Sequence, residues 1–219
     1  MESMKLGVLG TGTVGQTIGS KLVALGHEVK MGSRTASNER AVAWVKAAGA
    51  KATTGTFAEA AVFGEILFNC TSGRGTLPAL NAAGATNLRD KILIDVSNPL
   101  DFSRGMPPSL FTPSGDSLGE EIQRAFPSTR VVKTLNTMTC TLMVEPGKIA
   151  GGDHEVFVNG NDAAAKAKVS TILREWFGWQ RITDLGDITA ARAVEAYVLF
   201  WVRAWGALGT AEFNFRLVR

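Results

Sequence analysis

Three glycines at GxGxxG spacing, Gly10, Gly12 and Gly15 of "GTGTVG", follow the apolar run "KLGVL" and open a stretch of helical periodicity. The chemistry such a turn serves is the holding of a pyrophosphate. Gly10 permits a tight turn, Gly12 lets the backbone approach the phosphates, and Gly15 lets the helix lie close on the strand. Free N–H groups at the helix start then face the negative charge. At the end of the next apolar run, "EVKMGS", a site for NAD or FAD carries an acid that takes the ribose hydroxyls. Here Ser33 and Arg34 stand there instead, with Thr35, Ser37 and Asn38 adding donors around the turn, while Glu28 comes too early. A hydroxyl and a guanidinium suit a 2′-phosphate. The spacing therefore predicts NADP rather than NAD or FAD as the bound dinucleotide.

The remaining polar candidates are uncharged. Thr71, Ser72, Ser97, Asn98, Asn136 and Thr137 all fall at the ends of predicted strands, the edge at which open α/β sheets bind ligands. They can orient a carboxamide and a ring carbonyl, or they can cap loops. Asn136 and Thr71 are the candidates for direct contact with the reacting groups, and no residue is assigned as catalytic. Hydride transfer to a flavin-like ring needs stacking and exclusion of water, without an obligatory strong acid. That agrees with a chain whose two histidines, His27 and His154, precede strands and read as structural or solvated. Carbonyl reduction needs a proton donor. The Tyr-x-x-x-Lys pairing is absent, since Tyr197 is followed four residues on by Trp201. Lys133, the only charge inside "VVKTLN", could be such a donor, but a lysine snorkelling at a strand edge is the favoured expectation.

These residues need a scaffold to bring them together. Eight β-branched runs alternate with helical segments, which predicts an α/β fold, a Rossmann-type doubly wound and mostly parallel sheet. We expect an NADP-binding domain over residues 4–186 and a small C-terminal helical piece over 187–219. Val14, Ile18, Leu22 and Leu25 recur at helical spacing, and Gly26 ends the pattern where a left-handed cap belongs. Thr56 with Glu59, and Ser117 with Glu120, read as capping boxes. Residues 101–116, "DFSRGMPPSLFTPSGD", read as a long loop. Residues 188–208 read as one long helix whose Val194, Tyr197, Val198, Phe200, Trp201 and Trp205 demand cover, which a two-fold homodimer would supply, with Arg192 and Glu195 near the acceptor.

Bulk properties exclude several classes. With 219 residues, 45% of them hydrophobic, the chain can bury a core. The net charge of +3 is spread along the sequence, which gives nucleic-acid binding no support. The apolar run at 194–202 is too short for a membrane span. Cys70 and Cys140 lack metal-like spacing, so no metal site is expected and a reducing, cytoplasmic setting fits.

Taken together, "GVLGTGTVG", "GSR", "ILIDVSNPL", "VVKTLNTM" and "DLGDITAARAVEAYVLFWV…FNFRL" resemble the coenzyme F420 (F-420, deazaflavin) NADP oxidoreductases, with the cytosolic domains of membrane ferric reductases as relatives. The likeness runs over nearly the whole chain. It implies that Thr11, Gly12, Thr13, Val14, Ser33, Arg34 and Asn38 line the adenosine phosphates, and that Thr71, Ser72 and Asn136 approach the nicotinamide. It also implies an apolar acceptor cleft completed by the C-terminal piece. The expected activity is hydride transfer between NADPH and a flavin or deazaflavin, with F420, FMN or FAD as acceptor. A reductase of a small carbonyl or imine, and a non-catalytic NADP sensor, stay open as alternatives.

Overall fold

The computed structural model describes residues 2–218. The chain forms two compact units, Met1–Ser97 with Phe126–Arg130, and Asn98–Ala125 with Val131–Arg219. In the first, β1 (Lys5–Leu9), β2 (Glu28–Ser33), β3 (Ala52–Thr56), β4 (Ile66–Asn69) and β5 (Ile92–Asp95) form a parallel sheet in the order β5-β4-β1-β2-β3. The register pairs Val8 with Met31 on one side and with Phe68 on the other. The middle strands are buried along nearly their whole length, as parallel strands covered on both faces must be. Helices α1 (Thr13–Ala24), α2 (Glu39–Ala48), α3 (Phe57–Phe63), α4 (Gly73–Ala83) and α5 (Ala85–Leu88) flank it.

Small residues decide how closely these helices lie. A Cβ on Gly15 would fall 2.2 Å from the carbonyl oxygen of Gly10, and one on Gly19 would fall 2.8 Å from the Trp44 ring. Trp44 is held there by its indole N–H, which donates to Ser20 Oγ at 3.0 Å. Gly26 ends α1 with φ +92°, the left-handed conformation expected of it. The Thr56 capping box is formed in full, so α3 starts where the sequence places it.

In the second unit, β6 (Leu100–Asp101) and β7 (Ser109–Leu110) form a short antiparallel ribbon, followed by α6 (Leu118–Ala125). The stretch read as a plain loop is thus pinned by pairing between Asp101 and Ser109, which two-residue strands do not announce through periodicity. After β8 (Arg130–Thr134) and α7 (Cys140–Val144) come β9 (Glu155–Asn159), α8 (Ala163–Ile172), β10 (Arg181–Asp184) and α9 (Ala191–Leu208). β9 runs parallel to β10 and antiparallel to β8. The mostly parallel α/β architecture and the C-terminal helix are as expected.

Helix α9 differs from expectation in two ways. A 3-10 turn, Ile188–Ala190, opens it, capped by Asp187, whose carboxylate accepts from Thr189 N at 2.9 Å. Its buried stripe is Val194, Val198 and Val202, while the aromatic flank is overlaid by the chain's own tail. Phe213 stacks on Trp201 at 5.4 Å, and Phe215 meets Tyr197 edge-on at 4.8 Å. Phe200, Trp205 and Leu208 stay exposed.

Lys133 overturns the edge-snorkelling expectation. Its side chain is wholly buried, and its ammonium lies 2.8 Å from Glu195 Oε1. Glu195 also accepts the N–H groups of Leu118 at 2.8 Å and Gly119 at 3.0 Å. One carboxylate therefore neutralises the lysine and caps α6. The expected Ser117–Glu120 box is only half formed: Glu120 N donates to Ser117 Oγ at 3.2 Å and Ser117 Oγ donates to the Glu120 carboxylate at 2.7 Å, but the Ser117 N–H goes to Asp116 Oδ1 at 2.8 Å.

Candidate nucleotide site

A cavity of about 670 Å³ opens in the first unit at the carboxyl ends of β1, β2 and β4. Gly10, Thr11 and Gly12 form its floor, Ser33, Arg34 and Asn38 one end, and Thr71 and Ser72 another part of its wall. The β1–β4 boundary is where strand order reverses, and a crevice outside the strand ends there is the standard ligand position of such sheets. Gly10 takes φ +114°, and a Cβ on it would lie 2.6 Å from the Cys70 carbonyl oxygen. Above Gly12, in contrast, a Cβ would meet nothing within 4 Å. That is open space over backbone, the shape a pyrophosphate needs. No side chain caps α1 and its first turn holds no acid, so its leading N–H groups are available to an anion.

The other expected residues fall in three groups. Thr13, Val14 and Gly15 form the first turn of α1 and do not line the cavity by side chain; Thr13 is exposed and Gly15 buried. At the β2 end, Arg34 is exposed, whereas Ser33 is buried and gives its hydroxyl proton to Thr35 O at 2.5 Å. Asn38 caps α2, with its side-chain oxygen accepting from Ala41 N at 3.2 Å. Asn98 and Asn136 lie in the second unit and are tied to each other. Asn136 Nδ2 donates to Asn98 Oδ1 at 2.9 Å and to Val194 O at 3.1 Å, and Asn98 Nδ2 donates to Asn136 O at 2.8 Å. The two amide hydrogens of Asn136 are thereby committed within the protein.

Several site residues carried no signal in the sequence. Phe57, at the start of α3, and Pro78, Ala79 and Ala82, within α4, give the cavity an apolar wall, but small or apolar residues in a helix do not announce a site. Asn69 and Asp95, both fully buried, stand behind Thr71. Asn69 Nδ2 donates to Asp95 Oδ1 at 2.7 Å, and Thr71 Oγ1 donates to Asn69 Oδ1 at 2.7 Å. Cys70 also reaches the cavity wall. Burial, and after it the nearby Asp95 carboxylate, push its thiol well above the ordinary cysteine range, so it stays a neutral, unreactive group. His27 and His154 are buried structural residues; His154 sits between Pro146 O at 2.9 Å and Asn214 at 2.7 Å.

A glycine turn of this geometry in a 3-2-1-4-5 parallel sheet defines a dinucleotide-binding α/β protein. Residues 5–99 match the family described as NADP oxidoreductase, coenzyme F420-dependent. A protein of Arthrobacter sp. FB24, provisionally named an F420-dependent NADP-reductase, is 52% identical, and its crystal structure superposes with a TM-score of 0.95 over 99% of this chain and 100% of its own. The chain belongs to this NADP oxidoreductase family. The metalloreductase STEAP3 of Rattus norvegicus is 30% identical over 205 residues, 93% of this chain, and the chain spans 38% of that protein's length. The reductive aminase of Aspergillus terreus shares the fold, with 17% identity and a TM-score of 0.66 over 95% of this chain and 62% of its own. Among the described residues no helix is long and apolar enough to cross a membrane.

Proposed function

We propose that the protein passes a hydride between NADPH and a flavin-like ring, coenzyme F420 first and FMN or FAD as alternatives. The observation that carries the proposal is the cavity in which an open glycine floor, an uncapped helix start and Arg34 converge. The residues fit an NADP: backbone over Gly12 for the pyrophosphate, the α1 N–H groups for its charge, and Arg34 with Asn38 for the 2′-phosphate. When bound, the nicotinamide supplies the hydride chemistry, and the polypeptide binds, orients and excludes water. The acceptor assignment rests on the likeness to the F420-dependent NADP oxidoreductase family and its Arthrobacter member.

The alternative of carbonyl or imine reduction rested on Lys133 as proton donor, and a wholly buried lysine paired with Glu195 gives it no support. Two unpaired cysteines fit a reducing compartment. The exposed Phe200, Trp205 and Leu208 of α9 support a two-fold contact between copies of the chain.

The test is direct. Purified protein with NADPH is offered F420, FMN, FAD or riboflavin, and the loss of absorbance at about 340 nm is followed. Turnover with F420 alone supports the deazaflavin reading, and turnover only with FMN or FAD replaces it by a flavin reductase. Silence with every such ring overturns the proposal.

A further inference from the structure

Thr71 lines the cavity, and the single proton of its hydroxyl is already placed. The assignment follows from unambiguous donors. The backbone N–H of Thr71 points at the Asn69 side chain at 3.4 Å, and an N–H only donates, so the Asn69 atom on that side is the oxygen. On its other side Asn69 faces Asp95 Oδ1, an atom that also takes the backbone N–H of Ser97 at 3.2 Å and so is an acceptor. Both flanks orient the amide the same way. Asn69 Oδ1 then stands 2.7 Å from Thr71 Oγ1, a contact that requires Thr71 to donate. In the 2.9 Å contact between Thr71 Oγ1 and Thr76 Oγ1 only Thr76 can donate, and its one proton is shared with Ser72 O, 3.2 Å from the same hydroxyl.

We propose that Asn69 is a positioning residue that holds Thr71 as a hydrogen-bond acceptor toward the cavity, so that the group bound there must donate to it. Resting on the nucleotide reading above, this selects a donor on the nicotinamide half: a carboxamide N–H or a ribose O–H. A ring or acyl carbonyl oxygen finds no proton at Thr71. The same hydroxyl in an unmoored threonine would rotate and serve either kind of partner, so the polarity is a property of the Asn69–Asp95 backing.

The experiment compares dissociation constants for NADP+, its 3-acetylpyridine analogue, in which a methyl replaces the carboxamide NH2, and 2′,5′-ADP, which lacks the nicotinamide half. For a carboxamide donor, the wild type prefers NADP+ over the analogue by roughly 2- to 13-fold, the range of one neutral hydrogen bond. Thr71→Ser keeps that ratio. Thr71→Val and Asn69→Leu bring it close to one, and 2′,5′-ADP binds all variants alike, which shows them folded. If Thr71→Val weakens NADP+ and the analogue equally, the donor is the ribose hydroxyl. An unchanged affinity for both ligands in Thr71→Val, or an unchanged ratio in Asn69→Leu beside a collapsed one in Thr71→Val, overturns the proposal. Should Asn69→Leu fail to bind 2′,5′-ADP, the Thr71→Ser and Thr71→Val pair decides alone. A wild type that binds 2′,5′-ADP but shows no gain from the nicotinamide half overturns this inference only; one that binds no nucleotide overturns the function reading as well.

Discussion

Glu195 Oε1 stands 2.8 Å from Lys133 Nζ, and neither side chain is more than 1% exposed. Removing one partner of such a pair leaves an uncompensated buried charge, which costs about 3–5 kcal/mol. Lys133→Met and Glu195→Gln are each expected to lower the urea midpoint accordingly. The double variant Lys133→Met/Glu195→Gln recovers part of the loss for the lysine site, but Leu118 N and Gly119 N keep an acceptor only through the remaining amide oxygen. Additive losses across this cycle would show that the two groups do not interact.

The glycine turn allows two substitutions of the same size to be told apart. In Gly15→Ala the new methyl meets the Gly10 carbonyl oxygen at 2.2 Å, so overpacking costs about 1–3 kcal/mol and the thermal midpoint falls. In Gly12→Ala the methyl meets nothing within 4 Å, so stability changes by less than about 1 kcal/mol. Nucleotide affinity falls roughly 10-fold in Gly12→Ala, because the methyl occupies the space proposed for the pyrophosphate. Calorimetric titration with NADP+ checks both.

Arg34 lines the cavity at the end of β2. Arg34→Glu places a like charge against a 2′-phosphate, and NADPH binding weakens by roughly 10- to 150-fold while NADH binding changes little. Equal losses for the two nucleotides would remove Arg34 from the 2′-phosphate site.

Low pH acts on the start of α6. The Arg192 guanidinium, bonded to Glu120 at 2.6 and 2.8 Å, and then Ser117, hold the Glu120 carboxyl below the ordinary value of 4.5. Arg124 does the same for Asp116. A carboxyl depressed on folding stabilises the native state above its unfolded value, and that stability is lost as pH falls through the folded value. Wild-type stability is therefore expected to drop below about pH 4.5, and Glu120→Gln to drop less steeply there. Parallel pH profiles for the two proteins would exclude the pair as a source.

The proposed dimer makes a hydrodynamic prediction. Sedimentation is expected to give twice the 23.3 kDa chain mass at micromolar concentration, and Phe200→Glu, on the exposed side of α9, to return the monomer mass. A wild type that sediments at 23.3 kDa rejects the dimer.

What the sequence alone determined is local in origin. Alternating short runs marked every strand of both units except the two-residue β6 and β7; the inner strands β1 and β4 stand out because a strand buried on both faces is apolar nearly throughout. The glycine floor of the cavity was legible because Gly10 and Gly15 answer to backbone requirements that no other residue meets, as the φ of Gly10 and the contact at Gly15 show, whereas at Gly12 the space above the backbone is simply open. Ser33 and Arg34 were legible because a fixed offset from the glycines puts them at the end of β2. Tertiary structure alone decided pairings between residues far apart in the chain. Lys133 looked like an edge residue until Glu195, 62 positions on, met it in the interior. The flank of α9 called for cover that the chain's own Phe213 and Phe215 partly provide. Asn69 and Asp95 carry no signal in their own segments, and only the alignment of β4 with β5 sets their side chains together behind Thr71. A charge or an amide records in the sequence that it needs a partner, but which partner depends on where the backbone carries it.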